Sequence, residues 1–204
     1  QEIFYQRKFE KVVFDPPDFK PGHWCGAGKL WLDPDDSEFW LTSRPRSGSE
    51  RRGYAAEIYR SHGDANFDLV MSISKEEVST LAGENVQSIE NQQLLRDPST
   101  GGFHLYLSLD VHRENIAGRV EKVYDSKWET FLMSADDPAG PWRGEGFVLR
   151  ADRAYDSAEA RDATIDIIDG MYIALYKARR EGESRVKMAL ATSPDGKEWR
   201  KQGI

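Results

Sequence analysis

The chain has 204 residues, 39% hydrophobic and 11% aromatic, with a formal net charge of −7. That is enough apolar material for one sizeable core, and without basic runs there is no electrostatic footprint for nucleic acid or an anionic membrane surface. The single cysteine, Cys25, can form no internal disulfide and no Cys/His cluster has zinc spacing, so neither metal nor cofactor is expected.

No run approaches the ~18 apolar residues of a membrane helix, and the start at Gln1 has neither the charged nor the apolar region of a signal peptide. Because Gln1 is not Met, compartment stays open, with the cytoplasm favoured over export. Residues 1–22 contain Phe14–Asp15–Pro16–Pro17–Asp18–Phe19, whose prolines remove donors and disfavour helix before them. This lead-in is predicted to lie as an extended strap across a neighbouring sheet.

A four-part phrase then occurs three times, at a period of roughly 60 to 70 residues. Its first copy has Leu30–Trp31–Leu32, a turn at Asp33–Pro34–Asp35–Asp36, Phe39–Trp40–Leu41, and later Ala56–Ser61 running to Gly63 and Phe67. Ser47 to Gly53 reads as a charged loop. The Ser74-Lys-Glu-Glu77 pattern is a capping-box start for a short helix, the one helix expected in the chain.

The second copy has Gln93–Leu94–Leu95, a turn at Asp97–Gly101, Phe103–Leu107, the charged loop 112–125, and Thr130–Ser134 running to Gly140–Pro141–Trp142. The third has Thr164–Ile167, a turn at Asp169–Gly170, Tyr172–Tyr176, and Lys187–Ser193 running to Asp195–Gly196 and Trp199. Several strands per repeat, each unit too small to bury both its faces, is the pattern of a β-propeller. The expected fold is therefore all-β, a single domain over 1–204. It has three four-stranded blades at about 22–87, 88–150 and 155–204, and is incomplete at the C-terminus.

In such a fold the start of each blade's first strand and the end of its second converge on one central pocket. That selects His23–Trp24 and Arg44, with Arg46, from blade one. Blade two gives Glu90, Asp110 and His112, and blade three gives Glu159, Asp162 and Lys177. Carboxylates from different blades facing one pocket are what glycosidic cleavage requires, one as general acid and another as base or nucleophile. Asp97, in Arg96–Asp97–Pro98, stands opposite Asp33 and Asp169 in the repeat and reads as a turn residue serving its own backbone. His62 and His104 read as structural.

Ala135–Asp136–Asp137–Pro138–Ala139–Gly140–Pro141–Trp142 and Ser193–Pro194–Asp195–Gly196–Lys197–Glu198–Trp199 resemble the third-strand endings of the five-bladed propeller glycosidases. That superfamily includes arabinanases, xylosidases and fructan hydrolases, of the family 43 type. The resemblance implies a glycoside hydrolase acting on an oligo- or polysaccharide, with Glu159 at the acid position, Asp162 as its neighbour and competitor, and Glu90 near the second-blade acidic position. His23, Trp24, Arg44, Asp110, His112 and Lys177 would position the sugar. Blade one departs from the pattern, because Cys25–Gly26–Ala27–Gly28 has no carboxylate where the family's base stands. The alternatives are a mannoside-type phosphorylase, whose basic residues hold phosphate, and a non-catalytic carbohydrate-binding propeller. A sialidase is a weaker third, since the spacing offers no arginine triad or nucleophilic tyrosine. The expected partner is a carbohydrate.

Overall fold

A computed structural model describes residues 12–35, 37–61, 66–112 and 126–204, with 49, 50, 112 and 126 by backbone alone. The first blade is an antiparallel sheet of β1 (Trp24–Leu32), β2 (Phe39–Ser47), β4 (Ala55–Ser61) and β5 (Asp68–Ser74). The two-residue β3 (Arg52–Gly53) returns onto the end of β2 after the one-turn helix α1 (Gly48–Arg51). Helix α2 (Lys75–Ala82) leads to the second blade, β6 (Asn85–Arg96), β7 (Phe103–His112), β8 (Ser126–Ala135) and β9 (Arg143–Leu149). The third is β10 (Glu159–Ile168), β11 (Met171–Arg179), β12 (Lys187–Ser193) and β13 (Arg200–Gly203). Sheet order runs through the blades in sequence, and one parallel bridge, Glu159 with Trp128, joins the third blade to the second.

The hydrophobic alternation that marks the repeat fills two seams. Trp40, Ile58, Ile89, Leu105, Leu107 and Phe131 belong to one buried cluster, which draws on blades one and two. Leu132, Leu149, Ile165, Tyr172 and Tyr176 belong to a second, which draws on blades two and three. Trp31 packs against both. The opposite face of blade three, with Ile168, Met171, Leu175, Met188 and Leu190, is exposed.

The innermost strands begin earlier than the sequence suggests. Residues expected just before them lie inside β1, β6 and β10, each interrupted by a bulge at the same place. In β1, Gly28 and Lys29 together oppose Thr42; in β6, Glu90 and Asn91 oppose Ser108; in β10, Asp162 and Ala163 oppose Tyr176. Two residues against one break the period-two alternation, so the pattern is legible only past the bulge, at Leu30, Gln92 and Thr164. The bulges also bring the blades together. Thr42 Oγ1 donates to the carbonyl of Gln92 at 3.1 Å, and the amide of Asp162 donates to Ser108 Oγ at 2.7 Å, so each second-strand hydroxyl ties to the next blade's inner strand.

At the far ends of these strands the turn aspartates act as expected. Asp33 and Asp97 accept from the amides two residues on, those of Asp35 and Ser99, at 3.1 Å each. Both also cross between blades: Arg96 donates to Asp33, and the Tyr172 hydroxyl donates to Asp97 at 2.9 Å. Asp169 and Gly170 both take positive φ, the two-residue hairpin turn that Asp-Gly favours.

Helix α2 has the anticipated capping box: Glu77 N–H donates to Ser74 Oγ, and the Ser74 amide to Glu77 Oε2, at 3.2 and 2.8 Å. Its Val78 is buried in the first seam. Helix α1 was not expected, because a one-turn helix in a charged stretch leaves no periodicity. The lead-in is bent and non-helical where described, and Phe14 stacks on Tyr59 of β4 with ring centroids 4.2 Å apart, the strap contact the prolines suggest. Loop residues 113–125 and His62 lie outside the described residues. His104 is structural as read: it is buried, burial lowers its pKa, and its Nδ1 lies 3.4 Å from the Tyr106 hydroxyl.

Candidate functional site

The bulges of β6 and β10 each deliver a carboxylate to one cluster of charge. Glu90, at the β6 bulge, accepts from Arg44 through Oε2, and through Oε1 from Arg46 at 3.2 Å and from Ser88 Oγ at 2.6 Å. Arg52, returned onto the end of β2 by α1 and β3, reaches Glu90 Oε1 at 3.6 Å and Asp110 Oδ2 at 2.5 Å. That return is tight, since a Cβ on Gly53 would meet the carbonyl of Ile89 at 1.8 Å. Arg52 itself sits at φ +49.

Blade three supplies a second group. Glu159, at the head of β10, accepts from Arg179 through Oε1 at 2.6 Å and from Arg161 through Oε2 at 2.8 Å. Asp162 accepts from Arg161 at 2.8 Å and Lys177 at 2.9 Å, both through Oδ2. Its Oδ1 accepts no hydrogen bond among the described residues. Asp162 is held at φ +51, a left-handed conformation uncommon for any residue but glycine. The two groups meet at Trp128, whose ring lies under both Arg52, at 5.3 Å, and Arg161, at 4.6 Å. Trp24 forms another wall, with Arg44 and Arg46 over its ring at 4.4 and 5.6 Å.

Crowding leaves its mark on the arginines. Burial, then the neighbouring charges of Arg46, Arg52 and Arg161, press the Arg44 pKa down to about 10, with Asp162 pulling the other way. Burial and Arg52 likewise lower that of Arg46. Each guanidinium is disfavoured by loss of water and by its like-charged neighbours.

Of the residues selected from the sequence, Glu90, Asp110, Glu159, Asp162, Arg44 and Lys177 belong to this connected network, with Trp24 stacked beside it. His23 faces elsewhere: its Nδ1 lies 2.6 Å from Asp18 Oδ1 in the lead-in. His112 ends β7 and is described by its backbone alone. Sequence reasoning missed Arg52, Trp128, Arg161 and Arg179. The last two carry a signal in hindsight, since they alternate with the selected Glu159 and Lys177. Arg52 and Trp128 carry none, being placed by an irregular turn and by a third strand. Among the described residues no group of three or more His, Cys, Asp or Glu side chains is arranged to hold a metal ion.

Neither a family model nor a curated protein matches this sequence. Solved structures do match. One is Zg3597, a family 117 glycoside hydrolase from Zobellia galactanivorans, 17% identical over 87% of this chain and 54% of that one, at a TM-score of 0.58. Another is an α-L-arabinofuranosidase from Fusarium graminearum, 13% identical over 87% and 46%, at 0.55. A third is the β-1,2-mannobiose phosphorylase of Listeria innocua, 13% identical over 94% and 64%, at 0.53.

The fold is that of the five-bladed propeller glycosidases. This chain spans about half the length of the first two of these structures and 64% of the third. At these identities the likeness is one of architecture.

Proposed function

We propose that this chain carries the sugar site of a propeller that cleaves glycosidic bonds, with Asp162 as the carboxylate working at the anomeric carbon. The observation behind this reading is the state of the carboxylate oxygens. Both oxygens of Glu90 and both of Glu159 accept from guanidinium groups, whereas Asp162 keeps Oδ1 open on a strained bulge. Strain of this kind persists where surrounding contacts enforce it, and it aims a side chain rather than stabilising the fold.

Glycosidic cleavage needs two carboxyl groups. Glu159 is the partner nearest along β10, and Arg161 bridges the two. To act as the acid, Glu159 first takes a proton from solvent as the bound sugar displaces Arg179 from Oε1, and then gives it to the glycosidic oxygen as the C–O bond breaks. Asp162 Oδ1 takes the proton from the water whose oxygen bonds to the anomeric carbon. Arg161 then stabilises the charge left on Glu159, and Lys177 that on Asp162 until it is neutralised. Trp24 offers a ring face for sugar stacking.

One observation favours a second reading, a carbohydrate-binding propeller without turnover: Gly28 stands in blade one where Glu90 and Asp162 stand in the others. A panel of aryl glycosides, with and without phosphate, separates the two. Turnover on at least one substrate, falling about 10²–10⁴-fold in Asp162→Asn with sugar binding retained, is expected for loss of a general base. Wild-type rates in that variant remove Asp162 from the chemistry. Sugar binding without release from any glycoside supports the second reading.

A further inference from the structure

Among the described residues the charge of this cluster does not balance. Ion pairs join six basic side chains, Arg44, Arg46, Arg52, Arg161, Lys177 and Arg179, to four carboxylates, Glu90, Asp110, Glu159 and Asp162. Among the described residues, six cations against four anions leave two positive charges over, in a chain whose net charge is −7. The carboxylates are also shared: Glu90 serves three arginines and Asp162 two cations. A cluster this crowded carries a desolvation and repulsion cost that a bound anion relieves.

The donors for such an anion are present. A guanidinium has five N–H groups, and Arg44 and Arg46 each use one described hydrogen bond, both to Glu90. Their remaining N–H groups form forks that match a planar carboxylate or a sulfate in paired hydrogen bonds. Trp24 lies directly beneath both and is 37% exposed. An indole face beside spare guanidinium forks suits a ligand that is ring on one side and anion on the other. A small inorganic anion would use the forks but make no contact with the exposed part of the indole.

We infer that the substrate of this site is an acidic sugar, a uronate or sulfated residue whose anionic group is held by Arg44 and Arg46 above Trp24, with Arg52 completing the cluster. This rests on the reading of the pocket as a sugar site, but not on turnover. Binding is therefore the readout, by titration calorimetry with uronate oligosaccharides and sulfated disaccharides against their neutral counterparts, and with inorganic phosphate alone as a third arm.

At least one acidic ligand is expected to bind about tenfold or more tightly than its neutral counterpart, the scale of one charge-assisted hydrogen bond. Its affinity should weaken as salt rises. Arg46→Gln should abolish the preference and Arg46→Lys should restore part of it, both with a thermal midpoint that certifies folding. Equal or tighter binding of the neutral sugars, or binding of none of the acidic ones, overturns the inference. Phosphate binding without any acidic-sugar preference also overturns it, since the anion would then be free rather than carried on the ring. Failure of the cleavage reading would appear separately, as acidic-sugar binding without turnover.

Discussion

Gly28 holds the place that Glu90 and Asp162 hold in the other blades, and the reason is steric. A Cβ there would lie 2.1 Å from Thr42 Oγ1 and 2.3 Å from the Gln92 carbonyl, the two atoms that join blade one to blade two. No side chain fits without breaking that tie, so the missing first-blade carboxylate is part of how these blades pack. Gly28→Ala should cost about 1–3 kcal/mol by urea denaturation, as overpacking does. Gly28→Asp should destabilise at least as much and raise no activity. A more active Gly28→Asp would contradict this account. Asp162 and Glu90 were legible from the sequence because residue type and repeat position agreed. The pairing of their oxygens was not, since it depends on arginines from three strands.

At the level of the element, the turn after each inner strand is as informative as the strand. Asp97 sits in what looks like a catalytic motif and is instead a joint between blades two and three. Burial raises its carboxyl pKa, but hydrogen bonds from Thr100, Ser99 and Tyr172 outweigh that and hold it below its usual 3.8. A carboxyl lowered on folding adds stability that is present above that usual value and lost as pH falls through the lowered one. Tyr172→Phe should therefore cost about 1.5–3 kcal/mol near neutrality, measured from urea midpoints. The gap from wild type should narrow below about pH 4; a gap independent of pH would mean that ring packing is the source. Alternation and turn residues made the blades readable, while the bulges, which shift alternation by one residue, hid the first half or more of each inner strand. Helix α2 was readable because its cap is a sequence pattern, and α1 was not because one turn has no period.

Across the whole molecule, the blades are held in series by seams and hydroxyl ties, and blade three presents an exposed apolar face. Ile168, Met171, Leu175, Met188 and Leu190 project from blade three on the side away from blade two, with the alternation that buries Ile165, Tyr172 and Tyr176 on the other. An apolar patch of this kind binds hydrophobic dyes. Leu175→Ser with Leu190→Ser should lower anilinonaphthalene sulfonate fluorescence while leaving the urea midpoint within about 0.5 kcal/mol, as exposed sites do. A large loss of stability would mean that this face is packed in solution.

Trp128 and Trp24 each lie under two guanidinium groups at the pocket, and the other four tryptophans do not contact that cluster in any described interaction. A cation held over an indole stabilises its electron-rich face, so the emission of these two rings depends on where the arginines sit. Any occupant that draws Arg46 or Arg52 toward itself changes that emission. The pocket thus has its own optical reporter, and ligands can be screened against the unmodified protein by tryptophan fluorescence before any substrate is known.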